Sequence, residues 1–244
     1  MTVVLKLGGS VVTEKGDRET VAEERLASLA GAVGDDRPER LVVVHGGGSF
    51  GHPAAEAHGV SRTGGTTDAA AVRAVHGAMT RLNGAVVGAL AEAGVPAVPV
   101  HPLSAASRSA DGTLDQPTGA VATLLDEGFV PVSHGDVVAH AGAGATVLSG
   151  DELVVALAGA LDADRVGLCS TVPGVLDSDG AVIERVTAFE QVADAVGGSD
   201  ATDVTGGMAR KVRELLALEA PAQVFDPSGL AAFLAGDEPG TRVG

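Results

Sequence analysis

Two short apolar runs in this chain each end in a cluster of glycines. Val3–Leu7 leads into Gly8–Gly9, and Leu41–Val44 leads through His45 into Gly46–Gly48. Apolar runs of this length, bounded by glycine, are typical of buried strands. In open α/β sheets, ligands bind beyond the carboxyl ends of such strands, where glycines let backbone amides approach an anion. The pattern therefore favours an α/β fold with a phosphate site at this edge of the sheet.

Apolar runs and helical periodicity alternate along the rest of the chain. The pattern predicts further strands over 95–100, 129–133, 165–169, 223–225 and 241–243, and helices over 20–33, 68–93, 118–127, 149–161, from about 206 and from 227. Two apolar stretches around an Ala/Gly turn, between 136 and 148, predict a β-hairpin. Strands that alternate with helices imply right-handed crossovers and a mainly parallel sheet covered on both faces. We predict one α/β domain over residues 1–244.

The charge of the chain limits its partners. Asp and Glu number 32 against 16 Lys and Arg, so the formal net charge is −16. Nucleic acid is bound by neutralising phosphates with Lys and Arg, so neither nucleic acid nor an anionic membrane is an expected partner. A dispersed acidic surface, few lysines and small apolar residues suggest adaptation to a high-salt cytoplasm, where screening tolerates self-repulsion. An ordinary acidic protein is the alternative.

Cellular location and covalent cross-links are limited by two further features. Cys169 is the single cysteine, so neither an intrachain disulfide nor a cysteine metal cluster is expected. The N-terminus lacks the pattern of a signal peptide. The longest apolar stretch, Leu153–Leu161, is far shorter than the roughly 20 residues that a membrane-spanning helix needs. We expect a soluble cytoplasmic protein.

Lysine is rare in this chain, and its positions are not random. Three lysines stand against thirteen arginines; Lys6 and Lys15 flank the first glycine pair, and Lys211 follows Gly206–Gly207. An ammonium is a compact point charge and a guanidinium a planar fork, so the two do not substitute for each other at a phosphate. Because helical side chains lean toward the N-terminus, Lys211 is expected to project toward the first amides of its helix. All three lysines are predicted to serve a phosphate site.

The second glycine cluster is predicted to form a loop that His52 closes, where an imidazole could donate a hydrogen bond to a phosphate oxygen. The alternative is an ordinary surface histidine, since the chain has seven. His45, at the end of a strand, is expected to be structural. The glycines form neither a Walker A motif nor a dinucleotide-binding fingerprint.

Three segments together resemble a known superfamily. Lys6-Leu-Gly-Gly-Ser10 with Lys15, His45-Gly-Gly-Gly-Ser-Phe-Gly-His52, and Asp203-Val-Thr-Gly-Gly-Met-Ala-Arg-Lys211 resemble the amino acid kinases, and within them most closely the isopentenyl phosphate kinases. The resemblance extends to Ser149-Gly-Asp151 and Gly240-Thr-Arg242. Its most discriminating part is Gly-Ser-Phe-Gly-His, which isopentenyl phosphate kinases share with fosfomycin kinases, whereas relatives acting on carboxylates or carbamate generally lack the histidine.

The resemblance implies a fold and an activity. The fold is a three-layer αβα sandwich, with an acceptor-binding part over about 1–160 and a nucleotide-binding part over about 161–244. The activity is transfer of the γ-phosphoryl group of Mg-ATP to isopentenyl phosphate, giving isopentenyl diphosphate for isoprenoid biosynthesis by the alternate mevalonate route. Magnesium would arrive with the nucleotide, no metal site of the protein is expected, and a homodimer is implied.

The resemblance also implies roles for individual residues. Lys6 would bridge donor and acceptor phosphates, Lys15 would stabilise the transferring group, and Lys211 would hold the ATP phosphates from the other side. His52 would hydrogen-bond the acceptor phosphate, and Asp151 would orient lysines. Backbone and nucleotide contacts are implied for Gly8, Gly9, Ser10, Gly48, Thr171, Gly174 and Gly207 on the ATP side, and for Gly47, Gly48 and Gly150 on the acceptor side.

Part of the substrate recognition stays open. The family usually carries an Asp-Gly-Val-Tyr-like segment near the adenine, where this chain has 171–176 as Thr-Val-Pro-Gly-Val-Leu. The helix over 67–92 is a candidate wall for an apolar acceptor tail. A fosfomycin-type kinase and a uridylate kinase are the alternative enzymes, with His52 against the latter. A non-catalytic anion-binding protein is the alternative class, and the three lysines count against it.

Overall fold

The computed structural model describes residues 1–193 and 207–244. The strands are β1 (Thr2–Leu7), β2 (Arg40–His45), β3 (Ala97–Pro99), β4 (Ser107–Arg108), β5 (Leu114–Asp115), β6 (Val130–His134), β7 (Asp136–His140), β8 (Gly144–Leu148), β9 (Arg165–Cys169), β10 (Arg185–Val186), β11 (Ala222–Phe225) and β12 (Thr241–Val243). The α-helices are α1 (Gly9–Val12), α2 (Glu23–Asp36), α3 (Gly48–Ala57), α4 (Ala69–Glu92), α5 (Gly119–Asp126), α6 (Gly150–Ala160), α7 (Gly207–Leu216) and α8 (Leu230–Ala235). Short 3₁₀ helices cover Pro102–Ser104, Phe189–Gln191 and Pro227–Gly229.

Among the described residues, eight strands form one sheet in the order β10-β12-β11-β9-β1-β2-β6-β3. All neighbouring pairs are parallel except β11 with β12. The sheet runs without a break from the proposed acceptor part into the proposed nucleotide part, because β1 pairs with β9. The predicted mainly parallel α/β fold is confirmed.

Helices cover both faces of the sheet and create two apolar cores. Leu5 and Leu7 of β1 belong to the core under α2, α4 and α8, while Val4 belongs to the core under α5, α6 and α7. All six residues of β1 are buried, as expected for a central strand with helices on both sides. Because side chains alternate along a strand, Lys6 lies on the Val4 face, under α6.

The predicted hairpin is confirmed as β7 and β8, which pair antiparallel from Asp136–Leu148 to His140–Gly144. It belongs to a second sheet in the order β5-β4-β7-β8. The sequence did not predict β4 and β5, because each is only two residues long and neither shows an apolar alternation.

The second glycine cluster differs from the predicted loop, because α3 begins inside it at Gly48. The backbone at Gly48 has φ +47°, in the left-handed region where glycine is favoured. Pro53 lies inside α3, although proline ordinarily marks the end of a helix. His52 is therefore a helical residue in the second turn of α3 and not a loop residue.

None of the helices in the described ranges is both long enough and apolar enough to cross a lipid bilayer.

Candidate active site

A cleft of about 250 Å³ opens beyond the carboxyl ends of β1, β2 and β9. It brings together side chains and glycines that the sequence places up to two hundred positions apart. The predicted site residues that line it are Lys6, Gly8, Gly9, Ser10, Lys15, Gly47, His52, Gly150, Asp151, Thr171 and Lys211. Two predicted site residues that the structure describes, Gly48 and Gly174, are not part of this lining.

Lys6 occupies the centre of the floor of this cleft. Its side chain is buried, and its Nζ donates to Oδ1 of Asp151 at 2.5 Å. Burial lowers the pKa of the Lys6 ammonium below its usual value; the charge of Asp151 opposes this effect, and the charge of Lys211 adds to it. Asp151 thus directly contacts the lysine that it is predicted to orient.

The start of α6 delivers Asp151 to this position. Ser149 caps the helix, since its Oγ accepts from the amide of Glu152 at 3.2 Å. The side chain of Glu152 accepts from both terminal nitrogens of buried Arg108, at 2.6 and 2.7 Å. A carboxylate in the first turn is also favoured by the helix dipole. The first turn of α6 is therefore held in place on both sides of Asp151.

The two glycine turns pack directly against each other. A Cβ on Gly46 would lie 2.7 Å from the amide nitrogen of Gly9, and a Cβ on Gly9 would collide with the backbone of Gly48. The amide of Gly8 donates to Cys169 at 2.8 Å, and that of Gly46 donates to the carbonyl of Leu7 at 3.0 Å. These glycines are needed for close packing at the strand ends, and the amides of Gly8 and Gly46 are used inside the protein.

Lys211 approaches from the nucleotide part of the chain. It lies in the second turn of α7, which begins at Gly207, and its side chain lines the same cleft as Lys6. The segment from Asp203 to Gly206, which belongs to the same motif, lies outside the described residues. Gly174 packs elsewhere, with Thr241 and Val182 against the position of its missing Cβ.

Lys15 and His52 lie at the outer rim of the cleft, and both are exposed. Lys15 belongs to the turn between Thr13 and Val21, which are joined by an antiparallel bridge. His52 follows the second glycine turn on α3. Lys15 and His52 therefore line the same cleft as the buried ammonium of Lys6, from two different elements.

One wall of the cleft is apolar. Ala55 lies one turn after His52 on α3, and Val75 and Met79 lie one turn apart on α4. A Cβ on Gly51 would come within 2.6 Å of the sulfur of Met79, so that side chain packs tightly against the start of α3. Val147 of β8 completes this wall. The sequence marked the helix over 67–92 as a candidate, and α4 does contribute to the wall.

Four histidines form a cluster in which His45 and His134 are buried and His76 and His101 are half-buried. His45 contacts Asn83 at 3.1 Å and the carbonyl of Gly46 at 3.1 Å, and its ring stacks on His134. Nδ1 of His101 lies 2.9 Å from Nε2 of His134. Burial lowers the pKa of His45 to about 4, so its ring is neutral at pH 7 and can donate in only one of these two contacts. The predicted structural role of His45 fits this environment.

Acid should therefore destabilise the fold through His45. Its pKa is about 4 in the folded protein against 6.5 in an unfolded chain. The unfolded state then binds more protons, and about 3 kcal/mol of stability present at neutral pH is lost as the pH falls through this window. Burial lowers the pKa of His134 in the same direction, while the raised pKa of Asp136 opposes it. Urea unfolding across this range should show a shallower pH slope for His45→Asn, and an equal slope would contradict the assignment.

Some residues that line the cleft were not found from the sequence. Val75 and Met79 have the spacing of an ordinary buried helix face, and only their placement beside the glycine turns distinguishes them. Asp136 also lines the cleft, although it is buried and accepts from Nδ1 of His76 at 2.8 Å. Its position two residues after the end of β6 was a usable signal, since strand ends gather at this edge.

A sequence model of the amino acid kinase family matches residues 1–222 of this chain. The chain belongs to the amino acid kinase family. An isopentenyl phosphate kinase of Haloferax volcanii is 66% identical over 242 residues, covering 99% of this chain and 98% of that protein. An isopentenyl phosphate kinase of Methanothermobacter thermautotrophicus is 33% identical over 263 aligned residues, covering 99% and 98%.

Solved structures support the same family. An X-ray structure of isopentenyl phosphate kinase superposes with a TM-score of 0.86 at 28% identity, covering 100% of both chains. The resemblance drawn from the three sequence segments is confirmed, and so is the amino acid kinase fold. Within this family the cleft at the glycine turns is the candidate active site.

Proposed function

We propose that this amino acid kinase transfers the γ-phosphoryl group of ATP to isopentenyl phosphate, giving isopentenyl diphosphate and ADP for isoprenoid biosynthesis. The observation that carries the proposal is the convergence of Lys6, Lys15 and Lys211, the three lysines of the chain, on one cleft. In a protein of net charge −16, such a concentration of ammonium groups marks a site for several phosphates. The sequence identity with the isopentenyl phosphate kinases supports the choice of acceptor.

The arrangement is suited to phosphoryl transfer by positioning and charge stabilisation. The acceptor phosphate is already a nucleophilic anion, so no general base is required. Lys6 would sit between donor and acceptor phosphates, Lys211 would hold the donor, and Lys15 would meet the charge that develops on the moving group. His52 would donate to the acceptor phosphate. Asp151 would hold the Lys6 ammonium in place through their 2.5 Å contact.

Backbone groups and the nucleotide complete this proposal. Ser10, Gly9 and Thr171 line the donor side of the cleft, and Gly47 and Gly150 the acceptor side. Magnesium would enter bound to ATP. The two carboxylates that line the cleft among the described residues, Asp151 and Asp136, are paired with Lys6 and His76, so neither is placed to build a separate magnesium cage.

The apolar wall supports a hydrocarbon tail on the acceptor. Ala55, Val75 and Met79 lie beyond His52, so a phosphate bound at His52 would place its organic part against them. Burial of such a tail is favourable by about 0.8 kcal/mol per CH₂. A uridine would instead require hydrogen-bonding partners for its base at this wall.

The acceptor can be tested by steady-state turnover at high salt with a panel of phosphates. ADP release with isopentenyl phosphate should have a kcat/KM about a hundredfold or more above that with fosfomycin or UMP. Turnover of fosfomycin or UMP, with none of isopentenyl phosphate, would transfer the assignment to those kinases. Binding of ATP without turnover of any acceptor would favour an anion-binding protein. We further propose a cytoplasmic enzyme that requires high salt, on the basis of its acidic surface.

We also infer a homodimer formed through α4. Its outward face carries small residues at alternating intervals of three and four, interrupted by Arg81: Ala70, Ala74, Gly77, Gly84, Gly88 and Ala91. A Cβ on Gly84 or Gly88 would meet no described atom within 4 Å, so packing inside the chain does not require glycine there. Glycine inside a helix costs about 1 kcal/mol relative to alanine. A second helix at close range would explain both glycines.

Gly84→Gln should then convert a dimer into a monomer, because its side chain would stand between the two helices. The molar mass can be measured by light scattering after size exclusion. Gly31→Gln, on α2, is the matched control, since its Cβ also meets nothing within 4 Å. An unchanged dimer in the Gly84 variant, or a monomeric wild type, would contradict this interface.

A further inference from the structure

Ser49, the second residue of α3, contacts the segment that carries Lys15 through its amide, its carbonyl and its hydroxyl. Its amide donates to Oγ1 of Thr13 at 3.0 Å, and its carbonyl accepts from the amide of Glu19 at 3.0 Å. Its hydroxyl lies 3.4 Å from both the amide and the carbonyl of Thr20. The segment from Thr13 to Thr20, called the Lys15 turn below, is therefore hydrogen-bonded to α3 through Ser49.

Pro53 makes one of these contacts possible. In a regular α-helix the amide of residue 53 would donate to the carbonyl of Ser49, four positions earlier. Proline has no amide hydrogen, and its ring pushes that carbonyl away from the helix axis. The carbonyl of Ser49 instead accepts from Glu19. The irregularity in α3 thus releases an acceptor toward the Lys15 turn.

Thr13 makes the second contact and reaches the first glycine turn as well. Its side chain is buried, and its Oγ1 donates to the carbonyl of Gly9 at 2.8 Å while accepting from Ser49. A Cβ on Gly48 would collide with this same hydroxyl. The hydroxyl of Thr13 therefore connects the first glycine turn, at Gly9, with the second, at Gly48. Both turns are tightly packed at this point.

The other end of the Lys15 turn is also held. Glu19 has φ +52°, a backbone conformation that residues other than glycine seldom adopt. Its amide is fixed by Ser49 and its carboxylate accepts from Arg81 of α4 at 2.8 Å. Such a conformation persists only where the surroundings impose it.

We propose that Thr13 and Pro53 are positioning residues that act through Ser49 to fix Lys15 relative to His52. This inference rests on the proposed function, in which Lys15 meets the transferring phosphoryl group and His52 holds the acceptor phosphate. Lys15 itself is exposed, so its placement depends on the turn that carries it. A misplacement of about 1 Å can reduce turnover by about a hundredfold.

Pro53→Ala tests this proposal sharply, because it should improve the helix and impair the enzyme. The new amide lets the Ser49 carbonyl rejoin the helical hydrogen bonds, so Tm should stay equal to or rise above that of wild type. We expect kcat to fall about 10- to 100-fold, with KM for isopentenyl phosphate within about threefold of wild type. Pro117→Ala, at an exposed proline before α5, is the control and should retain kcat.

Hydrogen exchange gives a readout that does not depend on the reaction. The Glu19 amide should exchange slowly in wild type and distinctly faster in Pro53→Ala, while amides of β1 stay protected. If wild type shows no turnover at all, the proposed function fails, and this exchange result still decides the positioning role. Unchanged kcat together with unchanged Glu19 protection would overturn the proposal.

Thr13 is tested by a pair of variants. Thr13→Val keeps the shape and removes the hydroxyl, so kcat should fall about tenfold or more, whereas Thr13→Ser keeps the hydroxyl and should stay within about threefold of wild type. Because both residues act on Ser49, Thr13→Val and Pro53→Ala should be non-additive in kcat. Equal losses in the Val and Ser variants would overturn the role of the hydroxyl. If Thr13→Val does not fold, the kcat and the Glu19 exchange of Pro53→Ala decide whether the proposal holds.

Discussion

Replacing Lys6 with arginine should lower kcat by about a thousandfold or more while the protein stays folded. Lys6 is 6% exposed, and a Cβ on Gly150 would already lie 3.3 Å from its Cε. A planar guanidinium is larger than an ammonium and cannot place one compact charge between two phosphates at this point. Because arginine keeps the positive charge, Asp151 retains a partner and the fold is spared.

The measurement is kcat at saturating ATP and isopentenyl phosphate, together with thermal unfolding in the same high-salt buffer. Arg73→Lys, on the exposed face of α4, is the control for the exchange of one cation for another and should leave both unchanged. A Lys6→Arg variant with wild-type kcat would show that any cation suffices. The proposal that this site requires lysine and not arginine would then be wrong.

Asp151→Asn extends this test to the pH profile. The charge of Asp151 raises the pKa of Lys6 against the larger lowering caused by burial. Removing that charge should lower the pKa of Lys6 further, and the alkaline limb of kcat/KM should shift to lower pH. A limb that stays in place or shifts to higher pH would contradict the coupling between the two side chains.

Replacing His52 with alanine should have the second-largest effect. It should lower kcat/KM for the acceptor, isopentenyl phosphate. The imidazole lies on α3 at the rim of the cleft, next to the apolar wall. Losing a hydrogen bond to a charged phosphate removes about 1.5–3 kcal/mol, so kcat/KM for isopentenyl phosphate should fall about 10- to 100-fold. The KM for ATP should change by less than about threefold, since Lys211 and the first glycine turn are the groups proposed to hold the nucleotide.

His58→Ala is the matched control for this substitution. His58 caps the same helix at its C-terminal end and is exposed, but it does not line the cleft. Both KM values should be those of wild type in this control. If His52→Ala instead raises the KM of ATP and spares that of isopentenyl phosphate, the donor and acceptor sides of the cleft must be exchanged.

The central architecture could be predicted because the signals were local and repeated. Apolar runs at Val3–Leu7 and Leu41–Val44 became neighbouring parallel strands in full register, from Thr2–Arg40 to Leu7–His45. The carboxyl ends of neighbouring parallel strands lie at the same edge of the sheet. Residues that directly follow these strands are therefore close together. The placement of Lys6, Gly9 and Gly47 in one cleft follows from that rule.

The start of α3 could not be predicted, because its local signals oppose a helix. Four glycines and a proline within the eight residues 46–53 are typical of a loop. The helix forms because Gly48 packs against Gly9 and Thr13, and because Ser49 is held by the Lys15 turn. These contacts join parts of the chain more than thirty positions apart, which no window of sequence contains.

The apolar wall of the cleft could not be predicted for a different reason. The pair Val75 and Met79 has the spacing of any buried helix face, and the same pattern continues to Leu82 and Val86 in the core. Only tertiary placement separates wall from core. The individual roles of the lysines, the division at residue 160 and the homodimer stay predictions, and the segment from Asp203 to Gly206 lies outside the described residues.

Phosphorus NMR of a single reaction mixture tests the central claim most directly. Wild-type protein in high-salt buffer, with Mg-ATP and isopentenyl phosphate, should convert the monophosphate signal into the two coupled signals of a diphosphate, with ADP formed in equal amount. The product then contains the γ-phosphoryl group of ATP on the acceptor phosphate. ATP consumed to inorganic phosphate, or no reaction by folded protein, would contradict the account.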